Sequence, residues 1–385
     1  MSQPLYKKIQ EDLLGQILAG EYRDGDRIPS ESELMEHYFV SAITVKTALN
    51  NLVDQGVIYR IKGKGSFVAE GLFSESGKEP VKKSITIGVV LPTMSTRVEQ
   101  YYMLFLDRYC NQYGYNLLMR CSNESPDQEV KILRRYLSMG VNGFILFPVV
   151  SEISNATIRQ LIAKSFPFVL LDRYLDNLDV PYVVCNNEQG ALLAAKHLQE
   201  RVGREMTMVH YPLCNSAVTD RFNAYRQAFE DLSLDFDGAN HCQIDDLELL
   251  NGDFMQRTSY LYQAIEKHLL DYPRLRGLFA ANAEIAQVAY YVVCRQGYLV
   301  GRDFHIVSFD NAYLPGVCFI QQDFPRLVKE SIDLLHRRIE GKDGGAHRVV
   351  DVQLIETVEA PKPNDGLHHL IMSFVGLEEE PAQGR

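Results

Sequence analysis

Tryptophan is absent from this chain of 385 residues. A flat apolar platform for a ligand ring must then come from phenylalanine or tyrosine. The seven cysteines, Cys110, Cys121, Cys185, Cys214, Cys242, Cys294 and Cys318, are odd in number and scattered, with no Cys-x-x-Cys. That pattern reads as buried thiols in a reducing compartment and excludes a disulfide framework or a zinc site. No apolar run approaches a membrane span, and the amino terminus lacks a charged, apolar, cleavable series, so a cytoplasmic protein without a membrane partner is expected. The constellations of catalysis are missing too. Gly63-Lys64-Gly65-Ser66 is not a phosphate loop, there is no Gly-x-Ser-x-Gly elbow and no His-Glu-x-x-His, and His368-His369 has no partner at ligand spacing. No catalytic residue, cofactor or metal is therefore expected. Nor is there an excess of positive charge: a net charge of −11 argues against general affinity for polyanions, so any nucleic-acid binding has to rest on a local basic patch and on shape.

What is present organises itself around Ser30 to Val68. Ser30 with Glu33 three residues on has the spacing of a capping box and sets a helix start. That helix carries Leu34, Met35 and Tyr38 and stops at Phe39-Val40. Ser41 is a second N-cap, after which Val45, Ala48, Leu49 and Leu52 recur on one helix face, with Gly56 at its end. Ala42, Thr44, Lys46, Thr47 and Asn50 must then point away from the core, and a small, polar surface of this kind can enter a major groove. Val57 to Arg60 and Ser66 to Ala69 read as paired strands around a Lys62-Gly63-Lys64-Gly65 tip, where glycine permits close backbone approach and lysine supplies charge for phosphate. Leu5, Ile9, Leu13 and Ile17 predict a first helix packed on this pair.

Helix, turn, helix and basic hairpin make a winged helix-turn-helix, and residues 4 to 69 resemble the DNA-binding domain of the GntR family of bacterial transcription regulators. The resemblance is carried by Pro4-Leu5-Tyr6 with Ile9, by Gly25 to Glu31, and by Val40-Ser41, Thr44-Val45, Ala48-Leu49, Leu52, Gly56 and Gly63 to Val68. It implies that Arg27, Ser41, Thr44, Lys46, Lys62, Gly63 and Lys64 lie at a double-stranded DNA operator. Family members usually place a base-reading Arg where this chain has Ala42. The change removes a guanine reader worth about 1–3 kcal/mol of discrimination, so the operator should depart from the family's usual core.

With 46% hydrophobic residues the remaining length has room for a large core. The stretch 71–84 is polar and rich in Gly, Ser, Lys and Pro, as a linker is. From Ile85 onward short apolar runs alternate with amphipathic helices, which implies parallel sheets with helices on both faces. So long a run suggests two such sheets, with a cleft at the carboxyl ends of their strands. The expected organisation is a winged helix-turn-helix over residues 1–70, the linker, an α/β domain of two lobes over 85–360, and a tail over 361–385.

Motifs in order along this second part resemble the effector-binding domain of the LacI family, itself similar to periplasmic sugar-binding proteins: Ile87-Gly88-Val89-Val90, Gly143 to Leu146, Leu171-Asp172-Arg173, Gly190-Ala191, Asp220-Arg221-Phe222, Ala281 to Ala286, Val307 to Asn311 and Gln322-Asp323-Phe324. A GntR-type reading head fused to a LacI-type sensor resembles the AraR-like subgroup of sugar-responsive repressors. A sugar needs multivalent polar partners. The resemblance points to Arg221 and Asp310, then Asn282, Gln322 and Asp172, with Phe147 and Asp245 as weaker candidates. Each also has a plainer role open to it: Asp172 paired with Arg173, Arg221 satisfying a carboxylate, Asp310-Asn311 as a turn, Phe147 in the core. The function implied is a homodimeric repressor whose operator affinity answers to a sugar-like effector. A purine-sensing regulator and an enzyme on a doubly wound scaffold are the alternatives.

Overall fold

The computed structural model describes residues 4–61, 63–69, 85–149, 152–176, 178–213, 215–245, 254–342, 345 and 347–357. Lys62, the linker at 71–84, Cys214 and the tail at 361–385 lie outside the described residues. The chain divides into two compact units, residues 1–83 and 84–385.

The first unit contains α1 (Leu5–Leu18), α2 (Glu31–Tyr38), α3 (Ala42–Asp54) and a hairpin of β1 (Ile58–Ile61) with β2 (Gly65–Val68). Ser30 and Glu33 make both hydrogen bonds of the capping box, and Ser41 accepts from the Thr44 amide, so each helix start is satisfied by its own sequence. Phe39 takes φ 51° and ends α2, which turns the chain into α3. Val45, Ala48, Leu49 and Leu52 are at most 1% exposed and join Ile9, Leu13, Ile17, Leu34 and Val68 in one core. Burying each of the larger aliphatic side chains contributes about 1.5–3 kcal/mol. Leu5 departs from the expected stripe and is 56% exposed, because as the first residue of α1 it lies beyond the helices that cover Ile9 and Leu13. The hairpin is antiparallel, with Ile58 opposite Val68 and Ile61 opposite Gly65.

The second unit contains two six-stranded sheets. In the first lobe β3 (Thr86–Leu91), β4 (Asn116–Cys121), β5 (Gly143–Leu146), β6 (Phe168–Leu171) and β7 (Tyr182–Cys185) alternate with α4 (Arg97–Tyr113), α5 (Pro126–Ser138) and α6 (Glu152–Ala163). The chain then passes through α7 (Asn187–Val202) into the second lobe. There β8 (Met206–His210), β9 (His241–Gln243), β10 (Gly277–Ala280), β11 (His305–Phe309) and β12 (Val317–Gln321) alternate with α8 (Ser216–Asp231), α9 (Phe254–Asp271) and α10 (Ala283–Arg295). It returns to the first lobe with α11 (Phe324–Ile339), which packs on α4 and β6, and β13 (His347–Val350), and ends the described chain on β14 (Gln353–Ile355) in the second. The strand orders are β13-β7-β6-β5-β3-β4 and β14-β12-β11-β10-β8-β9, so the two lobes repeat one winding. Every pairing is parallel except β12 with β14. The expected parallel sheets are present, and the one antiparallel edge arises where the chain leaves β13 in the first sheet and enters the second as β14 two residues later, with no helix between to restore the strand direction.

Glycine is demanded at two of the motif positions by close packing. A Cβ on Gly88 would lie 2.7 Å from the Tyr136 ring, and one on Gly190 would lie 2.6 Å from the Phe309 ring. Strand and helix are drawn together there more tightly than any side chain permits.

Candidate DNA-reading face and effector cleft

On the first unit, the buried stripe of α3 leaves Ile43, Lys46 and Asn50 exposed and Ala42, Thr44 and Thr47 half-buried. Thr44 Oγ1 lies 3.0 Å from Ser41 Oγ, and Thr47 Oγ1 donates to the Ile43 carbonyl at 2.9 Å. Arg27 crosses to the wing: it bridges to Phe67, and a Cβ on Gly65 would lie 2.9 Å from its Nε. Gly63 takes φ 79° at the hairpin tip, and Lys64 beside it is exposed. Arg60 forms an ion pair of 3.4 Å with Glu31, tying the wing to α2. Ile43 was not among the residues singled out from the sequence, yet it is 77% exposed at the start of α3.

On the second unit, polar side chains gather where strands of both sheets end. Arg221, in the middle of the second turn of α8, donates from Nε to Asn187 Oδ1 at 2.8 Å and from Nη1 to the Ala281 carbonyl at 2.7 Å. Its guanidinium lies 3.4 Å from the centre of the Phe309 ring. Asp310 follows β11 directly and accepts from Gln322 Nε2 at 2.9 and 3.1 Å. Gln322 is buried with no partner for its Oε1. Burial holds the Asp310 carboxyl up to about 6, opposed by Arg221 and the Gln322 hydrogen bond and reinforced by the charges of Asp172 and Glu99. Asp172 and Glu99 belong to the first lobe and Asp310 to the second, so carboxylates of both lobes meet in one field.

Asp172 follows β6 directly, accepts from the Tyr102 hydroxyl at 3.1 Å and lies 3.6 Å from Arg173. Arg173 is itself forked onto Glu124 at 2.9 and 3.1 Å. Phe147 is 1% exposed and packs in the core edge-on to the Tyr102 ring. Asn282 caps α10 by accepting from the Ile285 amide at 2.9 Å. Asp245 is exposed after β9 and accepts from Gln243 at 2.7 Å. Arg221, Asp310, Gln322 and Asp172 are thus brought together, whereas Asn282 has its oxygen committed to a helix cap and Asp245 stands at the outer strand of its sheet.

Several residues at this site were not read from the sequence. Glu99, Tyr102 and Asn187 are buried polar groups on helices whose apolar periodicity drew attention elsewhere. Burial pushes the Glu99 carboxyl up, while its hydrogen bond from Thr96 pulls it down. Tyr174 and Tyr101 reach from the first lobe to the second. Tyr174, beyond β6, donates its amide to Ser216 Oγ and its hydroxyl to Asp220 Oδ1, both at 2.9 Å. The hydroxyls of Tyr101 and Tyr313 lie 2.5 Å apart, with the Arg97 guanidinium 4.3 Å from the centre of the Tyr313 ring. Among the described residues no group of three or more His, Cys, Asp or Glu is placed to hold a metal ion, and no helix is long and apolar enough to cross a membrane.

Comparison with known proteins matches a different family model within each of the two units. Residues 5–68 match the bacterial regulatory proteins of the gntR family, and residues 87–313 match the periplasmic binding protein domain. An arabinose metabolism transcriptional repressor of Geobacillus stearothermophilus is 24% identical over 312 residues, covering 80% of this chain and 82% of the relative. A ribose operon repressor of Halalkalibacterium halodurans is 26% identical over 331 residues, covering 82% and 92%. Among solved structures, the transcription regulator CcpA of Lactococcus lactis superposes with a TM-score of 0.63 at 20% identity, over 72% of this chain and 100% of that one.

Proposed function

Since the chain belongs to the periplasmic-binding-protein-like regulators that carry a GntR-type reading head, we propose that it is a transcriptional repressor whose grip on its operator is controlled by a sugar bound between the lobes of the second unit. The observation that carries the reading is the meeting of Arg221, Asp310, Gln322 and Asp172 at strand ends contributed by both sheets, the position at which open α/β sheets hold ligands. An arginine fork, two carboxylates and an amide give donors and acceptors in the mixture that a polyol requires. Relatives named for arabinose and ribose control favour a pentose.

In this reading Arg221, Asp310, Gln322 and Asp172 contact the effector, with Asn282, Phe147 and Asp245 shaping its surroundings. Arg27, Ser41, Thr44, Lys46, Lys62, Gly63 and Lys64 meet the DNA. The reading head occupies residues 1–70, the linker 71–84, the sensor 85–360 and the tail 361–385. The protein acts in the cytoplasm as a homodimer placing two heads on two half-sites, without enzymatic activity. An effector that favours one arrangement of the lobes shifts operator affinity by its differential binding, typically about 1–3 kcal/mol.

The test is a gel-shift titration on the protein's own promoter with pentoses, hexoses, uronic acids and purines, paired with thermal shifts of the full chain. Release of DNA by a sugar that also raises the melting midpoint is the expected result. A response to purines alone would overturn the sugar assignment, and indifference of operator affinity to the whole panel would remove the sensor role.

A further inference from the structure

We infer that the outward face of α3 reads thymine methyl groups, so that the protein selects operators with T·A pairs at the centre of each half-site instead of reading a guanine there. The inference rests on the DNA-binding role proposed above and deepens it.

The outward stripe of α3 is centred on Ile43 and Thr47, one turn apart, because Val45, Ala48, Leu49 and Leu52 occupy the opposite side. Ile43 is 77% exposed, an aliphatic side chain with no packing role in the core of this unit. Thr47 sends its hydroxyl back to the Ile43 carbonyl at 2.9 Å, which leaves its methyl group for a partner. Thr44 is treated alike, its Oγ1 lying 3.0 Å from Ser41 Oγ. Ala42 at the head of the helix offers only a methyl. A surface meant for hydrogen-bonded base readout would extend a guanidinium or free hydroxyls here. This one extends Ile43 and the Thr47 methyl at its centre, with the polar ends of Lys46 and Asn50 beside them.

In the major groove, one base carries an aliphatic group: thymine, at C5. Water is expelled when that methyl meets Ile43 or Thr47, and a C·G pair in the same place offers no such surface. Lys46 and Asn50 flank the stripe, three residues and one more turn along, with the charge and the amide suited to phosphate or a neighbouring purine. Lys64 on the wing adds cationic charge from a second element. The occupant that fits an aliphatic centre between cations is therefore a T-rich groove floor between phosphate strands.

The experiment uses the full-length protein. Binding sites are selected from a pool of random duplexes, and the affinity of the selected site is measured by fluorescence anisotropy with each thymine replaced in turn by deoxyuracil, which lacks only the methyl. One or two thymines per half-site should each cost about fourfold in affinity, the weight of one buried methyl-sized group. Thr47→Ser keeps the hydroxyl and removes the protein's methyl, and Ile43→Ala removes the longer side chain. Each should weaken binding to the thymine site and abolish sensitivity to deoxyuracil at one position, with an unchanged melting midpoint. Tight selected sites whose centres are G·C, or sites indifferent to every deoxyuracil, would overturn the inference while leaving DNA binding intact. Failure to enrich any duplex would overturn the DNA-binding reading itself.

Discussion

Asp172 and Asp310 are held in the same backbone conformation in the two lobes. Each is the first residue after an apolar parallel strand, with φ 72° and 73°, and each donates its amide to a carbonyl of the neighbouring strand's line, Val183 and Ile320 respectively, at 3.0 Å. A left-handed turn at a non-glycine residue is uncommon, and its recurrence at equivalent strand ends marks the places where the sheets turn their carboxylates toward the cleft. Asp310→Gly relieves the turn but removes the carboxylate. The expected outcome is a folded protein whose thermal midpoint no longer responds to the effector.

The proton held by Asp310 makes stability depend on pH. Its folded-state value is raised to about 6, above the ordinary carboxylate value, chiefly by burial. The folded state therefore binds this proton more tightly than the unfolded chain, so the Asp310 contribution is most favourable below about pH 4 and declines as pH rises toward 6. The loss is on the order of 2–3 kcal/mol. Asp220 is raised to about 6 as well, by burial first, and adds in the same direction. Urea denaturation of Asp310→Asn against the parent should show the variant gaining relative stability between pH 4 and 6.5, with a constant difference above that range.

Removing the guanidinium of Arg221 strands its partners. Arg221→Met leaves the Ala281 carbonyl without its donor and Asn187 Oδ1 with only the weak Cys185 thiol, and takes away the charge that opposes the rise in Asp310. A loss of about 2–4 kcal/mol is expected from urea unfolding at pH 7, together with loss of effector binding by calorimetry. A smaller deficit at pH 5 than at pH 7 would trace the loss to the charge on Asp310.

Tyr174→Phe deletes the hydroxyl bond to Asp220 across the lobes and little else. If effector binding requires the joined arrangement, affinity falls by the share of joined molecules lost, at most about fivefold for a bond worth about 1 kcal/mol. Titration calorimetry checks this. Tyr313→Phe, which removes the contact with Tyr101, should act in the same direction.

Gly190→Ala tests how tightly the second lobe is packed. The new methyl would meet the Phe309 ring, and that ring carries the Arg221 guanidinium. Overpacking of this kind costs about 1–3 kcal/mol, read from the melting midpoint, and the displaced ring should weaken effector binding beyond what the stability loss explains.

The reading head was largely legible in the chain because its signals are local. Ser30 with Glu33, Ser41 before Thr44, and the Val45-Ala48-Leu49-Leu52 stripe act over a few residues and appear in the structure as caps and core. The sensor was legible as an alternating α/β chain, but Tyr182–Cys185, Val317–Gln321 and α11 were passed over. The two strands are short apolar runs beside Pro181 and Gly316, with no periodicity of their own. For α11 a signal did exist: Asp323 caps, Pro325 lies in the first turn, and Leu327, Val328, Ile332 and Leu335 share one face.

By itself the sequence determined the helix caps, the apolar faces, the alternation of strands with helices, and which carboxylates follow strands. These depend on neighbours within a turn or two, and the chain carries them wherever it goes. Only the tertiary structure decided that Arg221 reaches Asn187 and Ala281, that Gln322 grips Asp310, and that Glu99 and Asp172 of one lobe press on Asp310 of the other. Those partners are separated by 12 to more than 200 residues along the chain, and burial, which sets the strength of their interaction, exists only once both sheets have closed around them.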